Sequence, residues 1–142
     1  MNIATLEELK FYYDEQVSYV KRQIKYDPAK APYWKLYLQG VYSAIDHFIQ
    51  YLLPDKEFPQ VKFIEVDLEK LSEDEKYFHK VAEIIVFNNV YDIYLDDYGQ
   101  CYTVLIDGEH HSLGTYNTDI APTALYFIFQ HIHDKNFNEL GE

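Results

Sequence analysis

The run Tyr91-Asp92-Ile93-Tyr94-Leu95-Asp96 alternates apolar and polar residues. Asp97-Tyr98-Gly99-Gln100 interrupts it, and Cys101-Tyr102-Thr103-Val104-Leu105-Ile106 alternates again. Asp107-Gly108 comes next, a dipeptide favoured in two-residue hairpin turns because both central positions need positive φ. Residues 109–116 then return as a third strand. This stretch reads as a three-stranded antiparallel meander, and loop length sets its registers. The four-residue loop at 97–100 pairs Ile93 with Val104 and Leu95 with Tyr102. The Asp107-Gly108 turn pairs Val104 with His111 and Tyr102 with Leu113. Tyr91, Ile93, Leu95, Tyr102, Val104, Ile106 and Leu113 form the expected core face. Asp92, Tyr94, Asp96, Cys101, Thr103, His110, Ser112 and Tyr116 point the other way.

Working outward, the flanking segments carry helical spacing. Thr5 and Glu8 form a capping box that opens a first helix, expected over 5–26. Its core face is Leu6, Leu9, Tyr13, Val17, Val20 and Ile24, at steps of three and four. Asp27-Pro28 ends it, because proline disfavours the α region for the residue before it. A second helix is expected over 32–53. It carries two seams: Trp34, Leu38, Val41, Ile45, Phe48 and Leu52, and Tyr33, Tyr37, Gly40, Ala44, His47 and Tyr51. Two faces suit a helix buried centrally in the domain, or one that offers its second face to a partner. Residues 53–60 read as a loop and 61–66 as a short strand. Ser72 and Glu75 form a second capping box, from which a third helix is expected to about Asn88. A closing helix fits 119–134, with Asp119 as N-cap, Ala121, Leu125, Ile128 and Ile132 inward, and a frayed tail after Lys135. The expected fold class is α+β: two N-terminal helices, a third helix, the meander and a C-terminal helix, in a single domain over 1–142.

The 142 residues hold 12 Lys and Arg against 24 Asp and Glu, a net charge of −12. Direct nucleic-acid binding needs a basic footprint, so this balance argues against it, and equally against anionic lipid. One cysteine can form neither an internal disulfide nor a multi-thiolate zinc site. No apolar run approaches the ~20 residues that span a bilayer. The N-terminal residues lack the basic and apolar regions of a leader, so the expected compartment is the cytoplasm.

Catalytic signatures are missing from the sequence. The five glycines are scattered, and no His-Glu-x-x-His, Gly-x-Ser-x-Gly or Cys-x-x-Cys occurs. Glu75, His79 and Glu83 share a face if 72–88 is helical, but a fourth metal ligand is missing, and a solvated face accounts for them. His110 and His111 point to opposite faces of a strand. The expectation is a non-catalytic protein with no cofactor and no metal.

What stands out is tyrosine, 15 residues of the chain. Tyr12, Tyr19 and Tyr26 recur every seven residues beside Glu8 and Glu15. Charge is uneven as well: residues 1–80 hold 14 acids and 11 bases, residues 81–142 hold 10 acids and one base, Lys135. Carboxylates interleaved with tyrosines suit a partner rich in Arg and Lys, through bidentate hydrogen bonds and cation–π contacts. The expected partner-binding residues are Asp92, Tyr94, Asp96, Asp97, Tyr98, Asp107 and Glu109, gathered in one acidic patch.

In overall composition the chain resembles phage- or plasmid-borne inhibitor proteins, the DNA mimics and the anti-CRISPR proteins that act on Cas9-type nucleases. That resemblance implies a stoichiometric inhibitor bound to the basic surface of a nuclease or other nucleic-acid-binding protein, where nucleic acid would otherwise sit. The alternative is an interaction or oligomerisation module using the second seam of the second helix, with a homodimer as its simplest form. A zinc-binding protein is the third reading.

Overall fold

The computed structural model describes residues 5–140. The residues before and after them, where the leader reading begins and the tail ends, lie outside the described range. The element order is α1 (Leu6–Tyr26), α2 (Ala31–Tyr51), β1 (Val61–Phe63), α3 (Glu73–Tyr77), β2 (Phe78–Val86), β3 (Asn89–Asp96), β4 (Cys101–Ile106), β5 (Glu109–Ser112) and α4 (Ile120–Asn138). The architecture is α+β. The chain divides into two compact units, one of residues up to Phe58 together with those from Phe129 onward, the other of Pro59–Ile128.

The first unit is helical. The α1 capping box forms as the sequence requires: Glu8 N–H donates to Thr5 Oγ1 at 3.1 Å, and the Glu8 carboxylate reaches back. Leu6, Tyr13, Val17 and Val20 are buried along one face of α1. Burial of an aliphatic side chain such as Val20 contributes ~1.5–3 kcal/mol. On α2 the buried seam is Leu38, Tyr42, Ile45 and Ile49, rotated from the expected one. The cause is aromatic packing. The Tyr42 ring stacks on His133 at 4.0 Å between centroids and on Phe129 at 5.2 Å, which turns that edge inward. The second seam of α2 faces outward, so α2 is not a helix buried on all sides. The C-terminal segment is also better ordered than expected: α4 continues to Asn138, and Leu140 is buried.

The second unit corrects the expected sheet. It is a five-stranded antiparallel sheet in the order β1-β2-β3-β4-β5, not a three-stranded meander. The expected third helix is one and a half turns long. The Ser72–Glu75 capping box forms, but α3 ends at Tyr77 and the chain continues as β2. Val81, Ile84, Ile85 and Val86 are β-branched, which favours a pleated surface once neighbouring strands exist to pair with. β1 and β3 supply them. The β2–β3 turn, Phe87-Asn88, has φ of 54° and 63°, so it is a hairpin turn built without glycine. Between Lys80 and Ala82 the register slips, leaving Val81 as a bulge. The extra residue puts Lys80 opposite Tyr94, and Ala82 opposite Ile93.

The registers read from loop length hold. Ile93 pairs with Val104, Leu95 with Tyr102, and Val104 with His111. Strand β5 ends at Ser112, yet Leu113 N–H still donates to Tyr102 O at 2.8 Å. The core of this unit is Ala82, Ile84, Ile93, Val104, Ile106 and Leu113, with Ala124, Leu125 and Ile128 of α4.

Candidate functional site

The seven expected binding residues separate into three places in the second unit. Asp96, Asp97 and Tyr98 stand together at the β3–β4 turn. Asp92 and Tyr94 lie on the outward face of β3. Asp107 and Glu109 flank the β4–β5 turn, at the opposite end of β4. Six residues of strand separate these two turns, roughly 20 Å at ~3.4 Å per residue. The seven do not form one patch.

The β3–β4 turn is held tightly by its acids. Asp96 Oδ1 accepts from Gly99 N–H at 3.1 Å, and Asp97 N–H donates to Tyr77 O at 2.7 Å. Tyr116 donates its hydroxyl to Asp97 Oδ1 at 3.0 Å. Partial burial, then the Asp97 carboxylate, pushes the Tyr116 phenol up to about 12. The bond to Tyr77 joins this turn to α3. Tyr77 and Tyr98 bring their rings to 5.3 Å, and both are well exposed, 44% and 68%. Beside them α3 displays Glu73, Asp74 and Glu75, all exposed. The sequence reading missed this half of the cluster because it continued the helix to 88. A helix that long would carry Tyr77 away from the turn, whereas a helix ending at Tyr77 leaves the Tyr77 carbonyl free to accept from Asp97 N–H.

On the outward face of the sheet the charges are partly neutralised. Lys80 Nζ lies 2.9 Å from Glu83 and 3.0 Å from Asp92. These two carboxylates, Glu83 first, hold Lys80 above the ordinary lysine value. Next to this clamp, Phe78 and Tyr94 stack at 5.3 Å, and His110 packs edge-on to both at 4.8 Å. An open groove of about 490 Å3 runs along this side, with Ile64, Val66, Leu71, Phe78 and Tyr94 as apolar wall. Glu65, Asp67 and Glu75 line it together with Lys70, His79 and Lys80, and Lys70 lies 4.0 Å from Asp67, so its rim is of mixed charge. Glu75, His79 and Glu83 do not share a helix face. His79 Nδ1 lies 2.8 Å from Glu75 O and Glu83 is held by Lys80. Among the described residues, no three His, Cys, Asp or Glu side chains gather as a metal-binding group.

The first unit carries a second aromatic surface. Trp34 meets Tyr19, Tyr33 and Tyr37 edge-on at 5.5, 5.0 and 5.4 Å. Tyr37 donates its hydroxyl to Gln16 Oε1 at 2.6 Å, tying α2 to α1. Tyr12, Tyr19 and Tyr26 are exposed.

No helix among the described residues is long and apolar enough to cross a membrane. Comparison with protein-family models, with curated protein sequences and with solved structures finds no match.

Proposed function

We propose that this chain is a non-catalytic, stoichiometric binding protein of inhibitor type, directed at a basic surface on a nuclease or other nucleic-acid-binding protein. The observation that carries this reading is the exposed Tyr77–Tyr98 ring pair, 5.3 Å apart, which joins the last residue of the acidic helix α3 to the β3–β4 turn that holds Asp96 and Asp97. Rigid aromatics ringed by carboxylates supply contact area at low entropy cost, together with acceptors for guanidinium groups. The second unit supports it further: residues 59–128 hold 13 acids and four bases, enough to steer a cationic partner toward this end. The distribution of acids favours a compact contact over a mimic of duplex length, because Asp107 and Glu109 stand at the far end and Asp92 is engaged by Lys80.

The test is a binding and cleavage-inhibition assay against a Cas9-type nuclease, with capture from source-cell lysate in parallel, each at low and high salt. The expected result is binding that weakens with salt and falls at least about tenfold in the Tyr77→Ala/Tyr98→Ala double variant, as truncating a pair of anchor residues does. Equal affinity at both salt concentrations, or an unaffected double variant, overturns the reading. A second reading, an interaction module that uses α2, is favoured by the outward exposure of the Tyr33–Tyr51 seam.

A further inference from the structure

The outward seam of α2 is ordered symmetrically about Tyr42. Gly40 and Ala44 lie two residues to either side, Tyr37 and His47 five, Tyr33 and Tyr51 nine. Tyr42 itself is buried, and at 100° per residue these six positions centre on the diametrically opposite side of the helix. Each end of the stripe is aromatic and the middle is small. Tyr33 and Tyr37 both pack against Trp34, while His47 and Tyr51 bring their rings to 4.9 Å. Tyr33, Tyr37 and Tyr51 are 61%, 36% and 75% exposed, and a Cβ placed on Gly40 would meet nothing within 4 Å. None of the six carries a carboxylate or an ammonium group, although the chain as a whole has a net charge of −12.

We propose that this face pairs with the same face of a second copy, forming an antiparallel homodimer across a two-fold axis. A two-fold interface must be self-complementary, residue i meeting j while j meets i. The order of the stripe satisfies this: with the axis at Tyr42, Tyr33 meets the partner's Tyr51, Tyr37 meets the partner's His47, and Gly40 meets the partner's Ala44. Small residues at the crossing allow the helix axes to approach to ~8 Å, and rings at both ends close the ~27 Å contact. Exposed Tyr33, Leu36, Tyr37 and Tyr51 already offer roughly 450 Å2, taking ~200 Å2 for a free aromatic side chain. A specific interface needs about 800 Å2 per partner, so the dimer requires the exposed flanking residues of α2 to contribute the remainder. A heterologous partner would have no reason to require a palindrome.

The test is light scattering and sedimentation of the full chain from about 1 to about 300 μM, the range in which modest homodimers form. The expected mass is twice 17.0 kDa at the upper end. Gly40→Leu should weaken the dimer at least about tenfold by forcing the helices apart. It should not harm the monomer, because the site is open and leucine is a better helix former than glycine. A thermal melt by circular dichroism verifies that the variant folds. Ala44→Arg, on the other side of the axis, should do the same, and Tyr77→Ala/Tyr98→Ala should leave the dimer intact. A monomer throughout the range, or a dimer indifferent to both Gly40→Leu and Ala44→Arg, overturns the proposal whatever the outcome for the acidic surface.

Discussion

Tyr13 Oη lies 2.8 Å from His133 Nδ1 in the core of the helical unit, joining residues 120 positions apart. On the other side of the ring, His133 Nε2 lies 2.7 Å from Gln39 Oε1. An amide oxygen only accepts, so Nε2 carries the hydrogen and Nδ1 accepts from the phenol. Burial favours the neutral ring, which is hydrogen-bonded at both nitrogens and stacked on Tyr42 at an interplanar angle of 2°. Tyr13→Phe keeps the ring packing but leaves Nδ1 without a donor in a buried site. The expected loss is about 1–3 kcal/mol in urea unfolding. A loss below about 0.5 kcal/mol would show that the hydrogen bond is not formed.

The same ring makes stability depend on pH. Burial lowers the His133 pKa below its ordinary 6.5, with Asp134 opposing the shift only in part. In the unfolded chain the imidazole takes up a proton as pH falls through about 6.5, while in the fold it resists. The unfolded state then binds more protons, so stability is complete above pH 6.5 and declines as the pH falls from there toward the folded pKa. Thermal melts at stepped pH should show this decline, and His133→Gln should flatten its onset near 6.5.

Asp46 gives the opposite sign. Partial burial raises its pKa, and Oδ1 has no hydrogen-bond partner. Its charged form therefore weakens the fold above the carboxylate range, and the effect fades on acidification. Asp46→Asn should stabilise the protein at neutral pH by up to about 1 kcal/mol, read as a raised melting temperature. A lowered melting temperature would mean that the carboxylate has a partner in solution.

Two glycines should respond in opposite directions to alanine. Gly114 has φ of +87°, and a Cβ there would come within 2.7 Å of Thr118 Oγ1. Gly114→Ala should cost about 1–2 kcal/mol. Gly40 sits in an open stretch of α2, where alanine gains about 0.8–1 kcal/mol of helix propensity. Chemical denaturation of both variants measures the contrast.

Deleting Val81 should be tolerated. Val81 is the extra residue of the β2 bulge, with Lys80 opposite Tyr94 and Ala82 opposite Ile93. Without it Lys80 and Ala82 become neighbours opposite two neighbouring partners, so both keep their facing and the ladder becomes regular. The cost is the Val81 O bond to Ile64 N–H and a change of local twist, expected at under about 3 kcal/mol. A cooperative melting transition should survive the deletion, and its loss would argue against this register.

The local features were legible in the chain. Both capping boxes depend on side chains three residues apart, and the Asp107-Gly108 turn announces itself by residues that tolerate positive φ. Phe87-Asn88 makes the same kind of turn with no such signature, since phenylalanine rarely adopts it; the hairpin it closes was therefore read as helix. The candidate site shows the same division. Asp96, Asp97 and Tyr98 were found because one short loop holds them. Tyr77 and the acids of α3 were missed because their place beside that loop depends on where a helix stops.

By itself, the sequence determined the three long helices, the two turn registers of the last three strands, and an anionic surplus. All of these follow from contacts between residues close along the chain, or from composition alone. Tertiary structure decided that 78–86 is a strand, that Tyr42 faces inward while Tyr33, Tyr37 and Tyr51 face outward, and which carboxylates stand together. Valine and isoleucine at mixed spacing satisfy either a helix or a strand, and only the hydrogen-bonding groups of β1 and β3, brought up from elsewhere in the chain, favour one over the other.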